Sequence, residues 1–171
     1  MKSDTVSLYK MIDRANKTGP LIIGKKAPNL VLEDTTLKVP KSMYDIKSKY
    51  TILVFWDPDC GHCKTEIPQL ANMYDTSQRM GASVYAVSTI SYEEMDKWTS
   101  FIKANNLNWT NVADPFFRHN PNFRTVYDIS STPVIYVLDQ DKIIRGKRIG
   151  VDQLQDFISK YEEYLKAKAK Q

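Results

Sequence analysis

The sequence predicts an α/β fold, with a central mixed β-sheet flanked by helices and an N-terminal β-hairpin extension. Residues 51–56, Thr-Ile-Leu-Val-Phe-Trp, form an unbroken apolar or β-branched run, which is typical of a strand buried on both faces of a sheet. Strand-like and helix-like patterns then alternate and end in a hairpin and a helix, which favours a mixed sheet covered on both faces. With 171 residues, 42% of them hydrophobic, the chain is long enough for one domain with its own core.

The N-terminal region is expected to be separate from this domain. Residues 4–15 carry apolar side chains at helical spacing, and Gly19-Pro20 ends the pattern. We therefore expect residues 1–22 to form a helical extension or the remnant of a preceding domain, and residues 23–171 to form the main domain.

Short apolar runs between turn residues predict the strands. Leu30–Leu32 and Leu37–Val39 flank a polar turn, which predicts a hairpin at an edge of the sheet. Beyond the run at residues 51–56, four further strands are expected: Ser83–Thr89, Trp109–Val112, Val134–Leu138 and Ile143–Ile149. Between the second and third of these, Phe116 and Phe117 are expected to be core residues rather than a docking patch.

Helical periodicity and capping residues predict the helices. The first should end near Met80-Gly81, since glycine is a common C-cap. The second begins at Ser91 and Glu94, which have capping-box spacing, and a short helix is expected around Asn122–Tyr127. The last helix begins near Val151, and its buried face is predicted to comprise Leu154, Phe157, Ile158, Tyr161 and Leu165.

Two cysteines stand where the central strand is followed by the first helix. Cys60 and Cys63 are separated only by Gly61 and His62, and an apolar stripe at helical spacing follows them. The first turn of a helix has unpaired N–H groups and the positive end of the helix dipole, so it stabilises a thiolate. A cysteine there can have its pKa lowered from about 8.5 to roughly 3.5–7.5. Cys60 is the predicted nucleophile, and Cys63 is placed to resolve a mixed disulfide.

Neighbouring charged residues are expected to tune this pair. Protonated His62 would stabilise a nearby thiolate, whereas the negative charges of Asp57 and Asp59 would raise the pKa of the thiol. Glu66 lies one helical turn after Cys63, where a partly buried carboxylate can exchange a proton with the resolving thiol; the alternative is an ordinary solvated helix residue.

A zinc site and a structural disulfide are the alternatives to redox chemistry at the cysteine pair. A zinc site normally needs four ligands, and the chain holds only two cysteines and two histidines. His119, in a stretch rich in Asn and Pro, is expected to be a surface loop residue rather than a ligand. A purely structural disulfide would close so small a loop that it would stabilise the fold little. Redox chemistry is therefore favoured, with no cofactor and no metal.

The chain resembles thioredoxin-fold thiol–disulfide oxidoreductases, most of all the TlpA/ResA branch, which is related to the redoxin/AhpC-TSA family. The resemblance covers about residues 23–161. The matching residues are Phe55-Trp56, Cys60-Gly61-His62-Cys63-Lys64, Glu66, Pro68 and Thr132-Pro133. It implies a thioredoxin-like fold in which the first cysteine attacks and the second resolves. It also implies that Pro68 kinks the helix and that a cis Thr132–Pro133 bond packs against the disulfide.

The resemblance also implies which residues contact a protein substrate: Thr132, Pro133, Trp56 and Gly61. Thr132 would offer backbone groups to an extended peptide. Two positions depart from thioredoxin itself. Val54 stands where thioredoxin has a buried Asp, which leaves Glu66 as the candidate acid, and Asp59 replaces the Trp of the thioredoxin docking surface.

The expected partners are protein substrates with disulfides or thiols and a separate thiol–disulfide electron donor. A net charge of +4, spread along the chain apart from a Lys-rich end, argues against nucleic acid. The start, residues 1–5, lacks the apolar core of a signal peptide, and no stretch has the length of a membrane span, which alone would indicate the cytoplasm. The resemblance instead implies the periplasm or cell envelope, and we give it precedence. Membrane contact is expected only if an N-terminal anchor is missing from this chain.

Two rival functions come from other classes of protein. A thiol peroxidase on the same fold usually has threonine three residues before the attacking cysteine, whereas Asp57 stands there. A non-catalytic protein-binding module would use the cysteines only as a stabilising disulfide.

Overall fold

The computed structural model describes residues 21–171, in which seven strands form one mixed sheet. The strands are β1 (Val31–Asp34), β2 (Pro40–Ser42), β3 (Tyr50–Trp56), β4 (Ala82–Ser88), β5 (Thr110–Ala113), β6 (Val134–Asp139) and β7 (Ile144–Lys147). The helices are α1 (Gly61–Arg79), α2 (Met95–Ala104), α3 (Phe123–Val126) and α4 (Leu154–Ala169). Short 3₁₀ turns lie at Met43–Asp45, Tyr92–Glu94 and Val151–Gln153. This architecture confirms the predicted mixed sheet with flanking helices.

The central strand is β3, within the spatial order β2-β1-β5-β4-β3-β6-β7. It pairs in parallel with β4 and antiparallel with β6, and all seven of its residues are buried. Its continuous apolar sequence suits this position, because a strand covered on both faces has no polar side.

Alternate residues of β3 belong to two separate cores. Ile52, Val54 and Trp56 face one core, and Leu53 and Phe55 face the other. Helices cover the first core with Ile67 and Leu70 of α1, Trp98 of α2, and Leu154 and Ile158 of α4. The second core is closed by shorter segments that contribute Leu21, Leu32, Met43, Phe123 and Tyr127. The junction of β3 with α1 is thus held rigidly from both sides of the sheet.

The predicted hairpin is present, but its second strand starts later than expected. Predicted at Leu37–Val39, it lies at Pro40–Ser42 and pairs antiparallel with β1. The carboxylate of Asp34 accepts hydrogen bonds from the N–H and the hydroxyl of Thr36, and Leu37 has a φ of 56°. These contacts extend the turn by several residues before the chain can pair again.

Both edges of the sheet are blunted. At one edge, β2 begins with Pro40, which lacks an N–H. At the other edge, the main chain of residues 24–27 hydrogen-bonds to the chain at the start of β7. Gly24 N–H donates to the carbonyl of Ile144 at 2.9 Å, and Ala27 N–H donates to the carbonyl of Lys142 at 2.8 Å.

The prediction that Phe116 and Phe117 are core residues is wrong, because their side chains are 41% and 57% exposed. The buried carboxylate of Asp114 accepts the N–H groups of Arg118 and His119, which closes a tight loop around the two phenylalanines. Phe117 has a φ of 53°, and both rings face outward.

The predicted buried face of α4 is correct only in its first half. Leu154 and Ile158 are buried, and Phe157 and Tyr161 are partly buried. Leu165, however, is 36% exposed, because the last turns of α4 from residue 163 onward are exposed on every side. The helical segment predicted within residues 1–22 lies, except for its last two residues, outside the described part of the chain. The division between residues 1–22 and 23–171 remains a prediction.

Two leucines of α4 allow a matched test of this packing. Leu154→Ala should lower the free energy of unfolding by about 2–5 kcal/mol, because it leaves a cavity in a closed core. Leu165→Ala should change it by less than about 0.5 kcal/mol, because no buried contact is lost. Urea unfolding of the two variants measures both values, and equal losses would contradict the assignment of the core.

Candidate active site

Cys60 occupies the N-cap position of α1, directly after the loop that leaves β3. Its sulfur accepts the backbone N–H of Cys63 at 3.3 Å, and its carbonyl accepts the N–H of Lys64 at 3.0 Å to begin the helix. Side chains that cap helices in this way satisfy one of the first N–H groups. Cys60 and Cys63 therefore lie close together on a single turn, and both are free thiols in this structure.

The two sulfurs differ strongly in their surroundings. Cys60 is half-buried, whereas Cys63 is fully buried beneath it in the first core. Burial acts against ionisation of Cys60, but hydrogen bonds with the side chains of Cys63 and Thr132 and with the backbone of Cys63 and His62 together outweigh it and lower the pKa of Cys60. Burial and the contact with Cys60 raise the pKa of Cys63 to about 12. One thiol is thus prepared to ionise and the other to stay protonated.

The Thr132–Pro133 segment faces the pair from the start of β6. The peptide bond between these residues is cis, as the resemblance implied. The thiol of Cys60 donates to the carbonyl oxygen of Thr132 at 3.3 Å. A groove begins beside this contact, and it is lined by His62, Glu66, residues 131–135 and residues 148–150. The groove therefore begins next to the more exposed sulfur.

The structure brings most of the predicted site residues to this place. Gly61 is the exposed first residue of α1, with open space where a Cβ would stand. His62 is exposed and Glu66 is partly buried, and both line the groove. Trp56 is the exception, because it is fully buried and packs on Phe101 with ring centroids 5.1 Å apart. Its predicted substrate-binding role remains a prediction.

The acidic residue next to Cys60 has cationic partners that sequence reasoning missed. The carboxylate of Asp59 is 2.6 Å from Lys97 Nζ and 3.9 Å from Lys64 Nζ. The hydrogen bond from Lys97 lowers the pKa of Asp59, although burial opposes this slightly. Lys97 lies 38 residues further along the chain, so no local pattern reveals the pairing. Lys97 and Lys64 therefore balance part of the negative charge that Asp59 places near the thiolate.

Asp57 is likewise more than a nearby negative charge. Its carboxylate accepts the hydroxyl of Thr89, at the end of β4, at 2.9 Å. Arg124, in α3, donates in turn to the carbonyl of Thr89. Thr89 and Arg124 are residues that sequence reasoning missed, because they come close to the cysteine loop only in the folded chain.

Away from the cysteines, residues 21–171 contain one group of three possible metal ligands. Ligand atoms of Glu33, Asp114 and His119 lie within 4.8 Å of one another. Each already has a protein partner: His119 Nε2 is 3.3 Å from Glu33 Oε2, and Asp114 accepts two backbone N–H groups. These contacts account for the cluster without an ion. Within the same described residues, no helix combines the length and the apolar character that a membrane crossing requires.

Comparison with known proteins identifies the family. The AhpC/TSA family matches residues 23–147. The thiol–disulfide oxidoreductase ResA of Bacillus cereus (strain ZK / E33L) is 27% identical over 141 residues, which are 81% of this chain and 78% of the relative. Alkyl hydroperoxide reductase C of Staphylococcus aureus (strain Mu50 / ATCC 700699) is 24% identical over 127 residues, 72% of this chain and 67% of the relative.

A solved structure gives a similar result. The domain of a possible thiol-disulfide isomerase from Cytophaga hutchinsonii superposes with a TM-score of 0.78 and is 43% identical, covering 87% of this chain and 99% of the other. This likeness confirms the thioredoxin-like fold, and with the ResA relative it confirms the resemblance to the TlpA/ResA type. The chain is thus a thiol–disulfide oxidoreductase with a thioredoxin-like fold, and it belongs to the AhpC/TSA family.

Proposed function

We propose that the protein reduces disulfide bonds in protein substrates through Cys60 and Cys63. One observation carries this proposal: a single turn of α1 joins a half-buried thiol of lowered pKa to a fully buried thiol of raised pKa. An attacking sulfur must be ionised and accessible, whereas a resolving sulfur must wait until the mixed disulfide has formed.

The reaction begins at Cys60. Its thiolate attacks one sulfur of the substrate disulfide, forms a mixed disulfide, and releases the other substrate sulfur as a thiolate that takes a proton from water. Cys63 then loses its proton and attacks the Cys60 sulfur, which forms the Cys60–Cys63 disulfide and releases the second substrate thiolate. Two electrons pass from the protein to the substrate. A separate thiol donor must return them, and the reverse sequence would oxidise a client.

Glu66 is our proposed proton acceptor for Cys63. The buried thiol, with a pKa of about 12, cannot ionise by itself near neutral pH, so its step needs a base. Glu66 lies one turn further along α1, and its side chain is partly buried in the groove wall. Val54 is fully buried, so the position of the buried acid of thioredoxin is apolar here.

The groove supports a polypeptide rather than a small molecule as the substrate. It opens beside Thr132, and charged side chains of both signs, Glu66 and Arg148, line it. Thr132 and Pro133 are the proposed docking residues, with Gly61 leaving room for a main chain to approach the sulfur. We place this activity in the cell envelope on the strength of the TlpA/ResA resemblance; a cytoplasmic reductase is the alternative.

Peroxide reduction is a second candidate, and the relationship to alkyl hydroperoxide reductase C favours it. Against it, Asp57 occupies the position three residues before the attacking cysteine, where those enzymes usually have threonine. Consumption of hydrogen peroxide by the reduced protein, faster than by free dithiol at the same concentration, would support this candidate. A third candidate is a non-catalytic binding module; loss of insulin reduction in Cys60→Ser with partner binding retained would favour catalysis over it.

The two thiols should differ in their alkylation by iodoacetamide. Because the pKa of Cys60 is lowered, its thiolate fraction and its rate should rise and level off at lower pH than for a free cysteine, whose pKa is about 8.5. Cys63, with a pKa of about 12, should stay unreactive to about pH 9. Mass spectrometry of both sites across pH measures this, and denatured protein is the control, in which the two rates should converge. Equal rates in the folded protein would contradict the assignment of roles.

Substitution of each cysteine should separate attack from resolution. Cys63→Ser should accumulate mixed disulfides on Cys60, because the buried sulfur that releases them is absent. Cys60→Ser should abolish insulin reduction and trap nothing. Non-reducing gels followed by mass spectrometry of the trapped adducts identify the clients. A Cys63→Ser protein that is folded but captures no disulfide-bonded protein or peptide would contradict the proposed exchange.

Glu66→Gln should slow release of the substrate without changing the attack. We expect resolution of the mixed disulfide to slow by about tenfold to a hundredfold near neutral pH, since a positioned proton acceptor is lost. Alkylation of Cys60 should be unchanged. Asp75→Asn, an exposed carboxylate on the same helix, is the matched control. Rapid-mixing assays with a model disulfide measure both steps, and wild-type resolution in Glu66→Gln would remove Glu66 from the mechanism.

A further inference from the structure

Asp57 makes hydrogen bonds to several parts of the loop that carries Cys60. Its carboxylate accepts the N–H of Asp59 at 2.8 Å and the hydroxyl of Thr89 at 2.9 Å. Its carbonyl accepts the N–H of Cys60 at 3.1 Å, and its own N–H donates to the sulfur of Cys63. One residue thus contacts the main chain at the attacking cysteine and the side chain of the resolving cysteine.

Thr89 anchors Asp57 to the rest of the fold. The N–H of Thr89 donates to the carbonyl of Trp56 at 2.9 Å, which continues the pairing of β3 with β4 by one residue. Its carbonyl accepts a hydrogen bond from the guanidinium of Arg124. Arg124 is itself held between the rings of Phe117 and Phe123, at 4.9 and 4.7 Å from their centroids. Thr89 therefore has little freedom to move, and its hydroxyl presents a fixed donor to the loop.

We propose that Asp57 and Thr89 are positioning residues, whose hydrogen bond holds the turn from Asp57 to Cys60 so that the Cys60 sulfur sits on the first N–H groups of α1. The loop between β3 and α1 is only four residues long, and Pro58 within it has no N–H to contribute. The carboxylate of Asp57 supplies hydrogen bonds that the main chain of this short segment does not make. The Thr89 hydroxyl, one residue after β4, fixes the orientation of that carboxylate.

A purely electrostatic role for Asp57 predicts the opposite behaviour of Cys60. A carboxylate near a thiolate raises the thiol pKa, so removal of the charge alone would make Cys60 more acidic. Loss of position would instead take the sulfur away from the helix N-terminus and make Cys60 less acidic. Arg124 feels the charge of Asp57, so part of that charge is already balanced. The sign of the change in Cys60 therefore distinguishes the two roles.

Other charged groups around the pair are left unchanged by these substitutions. They lie on the loop, on α1, α2 and α3, and just after β7, and comprise Asp59, His62, Lys64, Glu66, Lys97, Arg124 and Arg148.

The test compares four variants by the pH dependence of Cys60 alkylation. Asp57→Ala and Thr89→Val should each move the midpoint to higher pH and lower the rate at neutral pH by about threefold to tenfold. Thr89→Ser keeps the hydroxyl and should restore the wild-type profile. Thr36→Val removes a similar hydrogen bond to a carboxylate, that of Asp34 at the end of β1, and should leave the Cys60 profile unchanged. Urea unfolding of each variant confirms that the protein measured is folded.

Three results would overturn the proposal: a lower midpoint in Asp57→Ala, an unchanged profile in Thr89→Val, or failure of Thr89→Ser to restore the profile. This positioning role rests on the proposed disulfide exchange, because it concerns the sulfur that would attack the substrate. Its test does not depend on that function, since alkylation of Cys60 needs no disulfide substrate. A protein inactive in insulin reduction that still shows these shifts would contradict the proposed function and leave the positioning role supported.

Discussion

The chemistry of this protein depends on one junction, where a fully buried strand ends and a long helix begins. The central strand β3 is held by pairing on both sides and by apolar cores on both faces, so its end is fixed in space. The first turn of α1 follows within a few residues, and Cys60 is the side chain that caps it. A thiolate there interacts with backbone N–H groups that are already oriented, and little rearrangement is needed when the charge forms.

The same junction separates the two thiols by depth. A helix turns through about 100° per residue, so Cys63 faces the sheet while Cys60 remains at the rim. At Cys60, hydrogen bonds outweigh the effect of burial and lower the pKa, whereas at Cys63 burial prevails and raises the pKa. The difference between the two thiols is therefore a consequence of where the helix axis lies rather than of any special residue.

The features that could be predicted from the sequence are those that the chain encodes locally. The strand at residues 51–56, the position of the cysteine pair at the start of α1 and the glycine that ends α1 follow from short-range patterns, and the structure confirms these predictions. The outward position of Phe116 and Phe117 could not be predicted from such patterns, because it follows from the way buried Asp114 closes their loop. Lys97 lies 38 residues from Asp59 in the sequence, and its ammonium group balances part of a charge that is expected to hinder ionisation of Cys60. Residue type gives the sign of a charge, whereas its partners depend on the folded chain.

Both edges of the sheet are blunted, one by a proline and the other by a short main-chain segment that hydrogen-bonds beside β7. This affects how the sheet interacts with other polypeptide chains. A bare edge presents unpaired N–H and C=O groups to which other extended chains can hydrogen-bond, and such pairing leads to aggregation. With both edges blunted, the sheet offers little unpaired backbone for another chain to extend.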